Sequence, residues 1–342
     1  MKPGCRRVGC LVLVNGAAIL ALLLAFLLFY PLAENFTALR ADAFDLDDSL
    51  VPRFRPNLRD EPYLHTKASF DPQYDVLKIS TNSAGFRDRE RTLQKPADTW
   101  RVAFVGDSFV FGLDLTDAQT LPRQIEDELQ RRGGLGGRAV EVLNFGLPGL
   151  NFEGMGRVTQ IVVAAYHPDV VLYSFISDDI SRTDVIALRE WMLPLEPTLR
   201  RLPSWLADVV RDDLLVRYKM VRYDLDFRVL SAIPSWYRER IGVVADYLTG
   251  LARDGGWKLG IVDFSRFPLA REGFERYLEA HTVDGVQPFR LLTGFDLEVN
   301  PRNAHPTAAS QARLAPLVAD LLTGMLTGAP TAPPTGGPTP PP

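Results

Sequence analysis

Gly106-Asp107-Ser108 follows directly on a short apolar run at 101–105. A serine at such a turn projects its hydroxyl over the C-terminal edge of a sheet, where backbone N–H groups can receive an anion. Taken alone, the tripeptide reads as a turn whose polar side chains bond locally. Three other groups change its weight. Asn144-Phe145-Gly146-Leu147-Pro148-Gly149 closes a second apolar run, and glycine lets a backbone N–H approach a ligand with no side chain in the way. Ser177-Asp178-Asp179 closes a third run, and Asn303-Ala304-His305-Pro306 opens a late helical pattern. Three strand ends and one histidine thus converge on a single edge. That edge offers a hydroxyl, an imidazole and backbone donors.

The elements that must carry these groups alternate. Short apolar runs at 101–105, 139–145, 169–175 and 258–264 read as buried strands, with a weaker candidate at 289–292. Helical patterns at about 121–132, 153–166, 237–253, 270–280 and 307–326 lie between and after them. Near-continuous Val/Ile/Leu strands separated by helices predict a parallel sheet covered on both faces. Ligands of such sheets bind beyond the C-terminal strand ends, where the four groups fall. The alternation breaks between about 181 and 234, a stretch holding Trp191, Trp205, Pro194, Pro197, Pro203 and an amphipathic piece at 212–229. It reads either as a lid over the site or as a helical excursion packed on the sheet.

On these residues the chain resembles the SGNH (GDSL-type) hydrolase family. It is also similar to the membrane-anchored envelope subgroup related to polysaccharide O-acetylation proteins, through Thr81-Asn82-Ser83-Ala84-Gly85-Phe86-Arg87-Asp88 before the first strand, Gly112 after the serine, and Thr120-Leu121-Pro122 opening the next helix. The resemblance runs from about Asn82 to Leu326. It implies a three-layer α/β/α, flavodoxin-like fold with a central mostly parallel sheet, and acyl-ester chemistry. In it Ser108 matches the nucleophile, whose own N–H also serves the oxyanion. Gly149 matches the oxyanion glycine, and His305 the base that takes the serine proton and returns it to the leaving alcohol. His65, His167 and His281 match no site position.

Two positions depart from the family pattern. An asparagine amide ordinarily completes the oxyanion hole where this chain has Asp178, and an ionised carboxylate has no donor. A protonated Asp178, or the Ser177 hydroxyl, would restore one. The family also places an acid shortly before the histidine, where this chain has Arg302 and Asn303. Asn303 can orient an imidazole but cannot balance its charge; Asp296 or Glu298 would have to supply the carboxylate from the preceding loop. Two readings follow: a serine esterase or acyl hydrolase acting on an ester such as an O-acetylated glycan, or a catalytically weakened relative that binds an envelope polysaccharide or a partner membrane protein.

The ends of the chain speak to location. Residues 11–32 carry no charge, and about 22 apolar residues suffice to cross a bilayer as a helix. Lys2, Arg6 and Arg7 precede the run; Glu34, Asp42, Asp45, Asp47 and Asp48 follow it. The positive-inside rule then places segment 1–10 in the cytoplasm and the rest outside. A cleaved signal peptide is the competing reading, but its apolar core is ordinarily shorter. The expected layout continues with a linker at 33–80, the hydrolase-like domain at 81–327 and a disordered Pro-rich tail at 328–342.

Composition limits the alternatives. Among 342 residues, 46% are hydrophobic and 23% charged, and the net charge of −4 lacks the basic footprint of a nucleic-acid binder. The 2 cysteines, Cys5 and Cys10, both precede the apolar run, so no disulfide scaffold or cysteine-based zinc module is expected in the body. No cofactor and no metal are implied, and protein partners are not legible.

Overall fold

The computed structural model describes residues 16, 18–26, 44–46, 52–62, 78–180, 193–210, 218, 221, 225, 229, 232–265, 267–301 and 304–328. Five strands form the main sheet: β1 (Thr99–Gly106), β2 (Ala139–Gly146), β3 (Val170–Phe175), β4 (Lys258–Asp263) and β5 (Arg290–Leu292). Every pairing is parallel, in the order β2-β1-β3-β4-β5. This is the doubly wound order of flavodoxin-like folds, which reverses direction between β1 and β3 and opens a crevice there. The strands expected from the apolar runs are present to within two residues, the weak fifth included.

Along β1 the side chains alternate between two cores. Val102 and Phe104 join Leu121, Ile125, Leu314 and Val318 on one face. Ala103 and Val105 join Met155, Val244 and Phe274 on the other. The first face is covered by α2 (Leu121–Arg131) and α6 (Ala308–Thr327); the second by α3 (Phe152–Ile161), α4 (Pro234–Gly255) and α5 (Pro268–His281). The helix limits follow local chemistry. Proline stands in the first turn of α2, α4 and α5, where its missing N–H costs nothing. Gly256 ends α4 in the left-handed region at φ 72°. Residues 163–166, expected as the end of α3, form a separate 3-10 turn.

Strand β2 lies at the sheet edge, and side chains occupy its free backbone groups. The Val142 N–H donates to Glu126 Oε2 at 2.9 Å and the Asn144 N–H to Asp88 Oδ2 at 3.3 Å. Arg91 lies between these carboxylates, 3.0 Å from Asp88 and 2.7 Å from Glu126. Burial raises the Asp88 pKa, with Arg91 pulling against it. An edge satisfied in this way offers no template to another strand.

Within the stretch expected as a linker, described residues pack into the main core: Phe54, Leu58 and Ile79 are buried with the β1 and α4 side chains. Thr81 is the tie, accepting the Leu58 N–H at 2.9 Å and donating to the Arg55 carbonyl at 2.7 Å. In the expected anchor, 18–26 is helical and exposes Ile19, Leu20, Leu22 and Leu23. Among the described residues no helix is long and apolar enough to cross a membrane. Apart from residue 16, the rest of 11–32, the 329–342 part of the tail and most of 212–229 lie outside the described residues.

Candidate active site

The end of β1 turns sharply. Asp107, fully buried, caps a four-residue helix, α1 (Ser108–Phe111), by accepting the Phe109 N–H at 3.0 Å. Ser108 is its first residue and Gly112, at φ 79°, its left-handed end. Two glycines allow so short a helix to settle on the strand ends. A Cβ at Gly106 would stand 2.2 Å from Ser174 Oγ, and one at Gly146 would stand 2.1 Å from the Phe111 backbone nitrogen. The glycines read from the sequence as one donor-bearing stretch therefore divide their work. Gly146 makes room for α1, while Gly149 forms the next turn.

That turn has a local cause. Pro148 and Gly149 are its central residues, the Leu150 N–H bonds to the Leu147 carbonyl at 3.3 Å, and Gly149 has φ 86°. Proline followed by a left-handed glycine is the composition of a type II turn. Among the described residues neither the Gly149 N–H nor the Ser108 N–H is taken up by an acceptor.

At the end of β3, Ser177–Ile180 forms a 3-10 turn. Asp179, fully buried, accepts the Ile176 N–H at 2.9 Å. Tyr237 donates its hydroxyl to the Ser177 carbonyl at 3.3 Å, tying the turn to α4. Asp178 lies on this turn, beside the switch point between β1 and β3, and Ser177 is half-buried.

His305 arrives from the segment before α6. A bridge between Val299 and Pro306 closes that segment, with the Asn300 N–H donating to the His305 carbonyl at 2.8 Å and Ala304 at φ 60°. The His305 ring packs on Phe109, centroids 5.4 Å apart, and Phe109 packs on Phe264. His305 Nε2 then lies 2.8 Å from Ser108 Oγ, and both residues are 8% exposed. A buried hydroxyl held by an imidazole nitrogen can give up its proton as it attacks an electrophile.

The structure thus joins Ser108 and His305. Asn303 lies outside the described residues. Of the two loop acids weighed as its replacement, Glu298 is exposed and pairs with Arg313 at 3.1 Å, and Asp296 is exposed. Both differ from a carboxylate shielded behind an imidazole, because their loop runs over the surface. His167 stands just before β3, at the opposite edge of the sheet, and His281 ends α5 stacked on Tyr277. Among the described residues no group of His, Cys, Asp and Glu is arranged to hold a metal ion.

Sequence reasoning passed over two groups at this edge. Asp263 ends β4 buried; its oxygens accept the Ser265 N–H and the Thr293 hydroxyl, each at 2.9 Å. Burial pushes its pKa up to about 6, against those hydrogen bonds. It braces the ends of β4 and β5. An Asp followed two residues later by Ser is its only sequence signal. The second group is Arg87, whose contacts depend wholly on tertiary structure.

No protein family model and no curated protein matches the chain. Solved structures similar to it include TesA, at 17% identity over 66% of this chain and 99% of that one, with a TM-score of 0.40. A lipase/acylhydrolase from Enterococcus faecalis aligns at 14% identity over 66% of this chain and 96% of that one, with a TM-score of 0.39. AlinE4, an SGNH-hydrolase family esterase, aligns at 10% identity over 68% of this chain and 99% of that one, with a TM-score of 0.32.

Proposed function

We propose that the chain is a serine ester hydrolase of the SGNH type. The observation that carries this reading is the 2.8 Å contact between His305 Nε2 and Ser108 Oγ at the switch-point edge of the sheet. In this mechanism Ser108 Oγ attacks the ester carbonyl as its proton passes to His305 Nε2. The N–H groups of Ser108 and Gly149 receive the developing oxyanion. His305 then protonates the leaving alcohol, and water attacks the acyl-serine with His305 again as base.

The finer parts of the proposal rest on the sequence. An uncharged run at 11–32 with basic residues before it supports a membrane anchor, cytoplasmic N-terminus and extracytoplasmic domain. The exposed apolar side chains of the 18–26 helix suit a lipid environment. An O-acetylated glycan is the proposed ester class. Asp178 favours a second reading, a weakened relative that binds such a glycan or a partner membrane protein, because an aspartate there supplies no amide donor.

The test uses the full chain in detergent micelles, a fluorophosphonate probe and release of acetate from acetyl esters. Labelling and turnover that vanish in Ser108→Ala support the hydrolase. A folded wild-type protein that neither labels nor turns over any of several acetyl esters would sink it in favour of the binding reading.

A further inference from the structure

We infer that Arg87 is the positioning residue of the nucleophile turn: its guanidinium gathers carbonyls at the end of α1 and in the loop that follows it, and so fixes where Ser108 stands. The inference rests on the proposed role of Ser108. It assigns a task to the Thr81–Asp88 segment, which the chemistry above leaves unused.

The Arg87 side chain is fully buried. Its Nη1 donates to the Gly112 carbonyl at 2.7 Å and to the Phe111 carbonyl at 3.3 Å, and its Nη2 donates to the Leu115 carbonyl. Its Nε donates to Asp117 Oδ1 at 2.7 Å, and its charged carbon lies 5.0 Å above the Phe111 ring. A helix of four residues cannot support itself: almost none of its groups has an internal partner. Among the described residues, the turn-closing bonds to Ser108 are those from the Gly112 and Leu113 N–H groups to its carbonyl, both at 3.1 Å. Arg87 grips the same two-residue span from the other side. A cation there also complements the carbonyl end of the helix.

The grip is itself anchored. Asn82 Oδ1 accepts the Ala84 and Phe86 N–H groups, each at 3.0 Å, and shapes the segment that delivers Arg87. Gly85 meets the Phe54 backbone so closely that a Cβ would lie 2.2 Å from its carbonyl oxygen. Phe54 in turn stacks on Phe111, centroids 5.1 Å apart. Arg87 and Phe54 therefore reach α1 together, from the chain that precedes β1.

Arg87→Met, Arg87→Lys and Asp117→Asn test this in the full chain. Arg87→Met is expected to lower kcat on an acetyl ester and the fluorophosphonate labelling rate together, by about 10–100-fold, with KM nearly unchanged. Arg87→Lys, which keeps charge but loses the fork, recovers only part of the loss. Hydrogen exchange at the Gly112 and Leu113 amides should rise about tenfold or more while β4 exchanges as before. If Arg87→Met does not fold, the other two variants carry the same comparison. Unchanged exchange at Gly112 and Leu113, exchange that rises equally in β4, or a KM increase at constant kcat each overturns the inference. A wild-type protein without labelling or turnover would overturn Ser108 as nucleophile, and the exchange measurement would still decide the role of Arg87.

Discussion

The imidazole of His305 and the hydroxyl of Ser108 meet at 2.8 Å across 197 residues of chain. The ring is fixed on its flank by Phe109 and through its backbone by the Asn300 N–H. Its Nε2 therefore has one productive direction. His305→Gln should lower kcat/KM on an acetyl ester by about 10²–10⁴-fold, with an unchanged circular dichroism spectrum. Retained activity would move the base to another group.

Gly149 holds φ 86° at the second central position of its turn. An alanine there carries a left-handed penalty of about 1–2 kcal/mol. Gly149→Ala should lower the unfolding free energy measured in urea by that amount and, under the proposed oxyanion role of its N–H, reduce kcat more than it raises KM. A variant with lowered stability and normal kcat would remove Gly149 from the oxyanion site.

Gly146 is constrained by packing rather than by a left-handed φ. Its added methyl would meet backbone atoms of Val110 and Phe111 within 2.7 Å, and backbone cannot rotate away as a side chain can. Gly146→Ala should cost at least about 1–3 kcal/mol on thermal unfolding and slow fluorophosphonate labelling by shifting α1 off β2. Unaltered labelling would mean that α1 keeps its place without this contact.

Under the proposed SGNH resemblance, Asp178 and Asn303 stand where an amide and an acid would be expected. Asp178→Asn should raise turnover if it restores an oxyanion donor, and Asn303→Asp should raise it if it balances the imidazolium. Steady-state kinetics of each variant decide. A fall in activity for Asp178→Asn would give the native carboxylate a positive role.

Asp263 sets a pH dependence. Burial raises its pKa from 3.8 to about 6, so between those values the folded state binds more protons than the unfolded one. This stabilising protonation is complete below about pH 4 and is lost as the pH rises through about 6. Above that range the ionised group costs up to about 3 kcal/mol, at ~1.4 kcal/mol per pH unit. Asp263→Asn keeps an acceptor for the Ser265 N–H, so its stability advantage should grow between pH 4 and 6.5 and then level off in urea titrations. A constant difference across that range would assign Asp263 an ordinary pKa.

The apolar runs, the Pro and Gly punctuation and the helical spacings located all five strands and the main helices, because each depends on neighbours within a few residues. They also put Ser108 and the Gly146–Gly149 stretch at one edge, since strand ends of a parallel sheet share it, while the roles proposed for Ser108, Gly149 and His305 came from the family resemblance. Tertiary structure alone decided the rest. The order β2-β1-β3-β4-β5 determines that Ser108 meets His305. Close backbone approach, invisible in composition, made Gly146 the seat of α1. Arg87 reads as one charged residue in a polar lead-in; only folding buries it and turns it to carbonyls 24 to 28 positions away. A buried guanidinium is stable only where several acceptors converge, and that convergence is a property of the assembled fold.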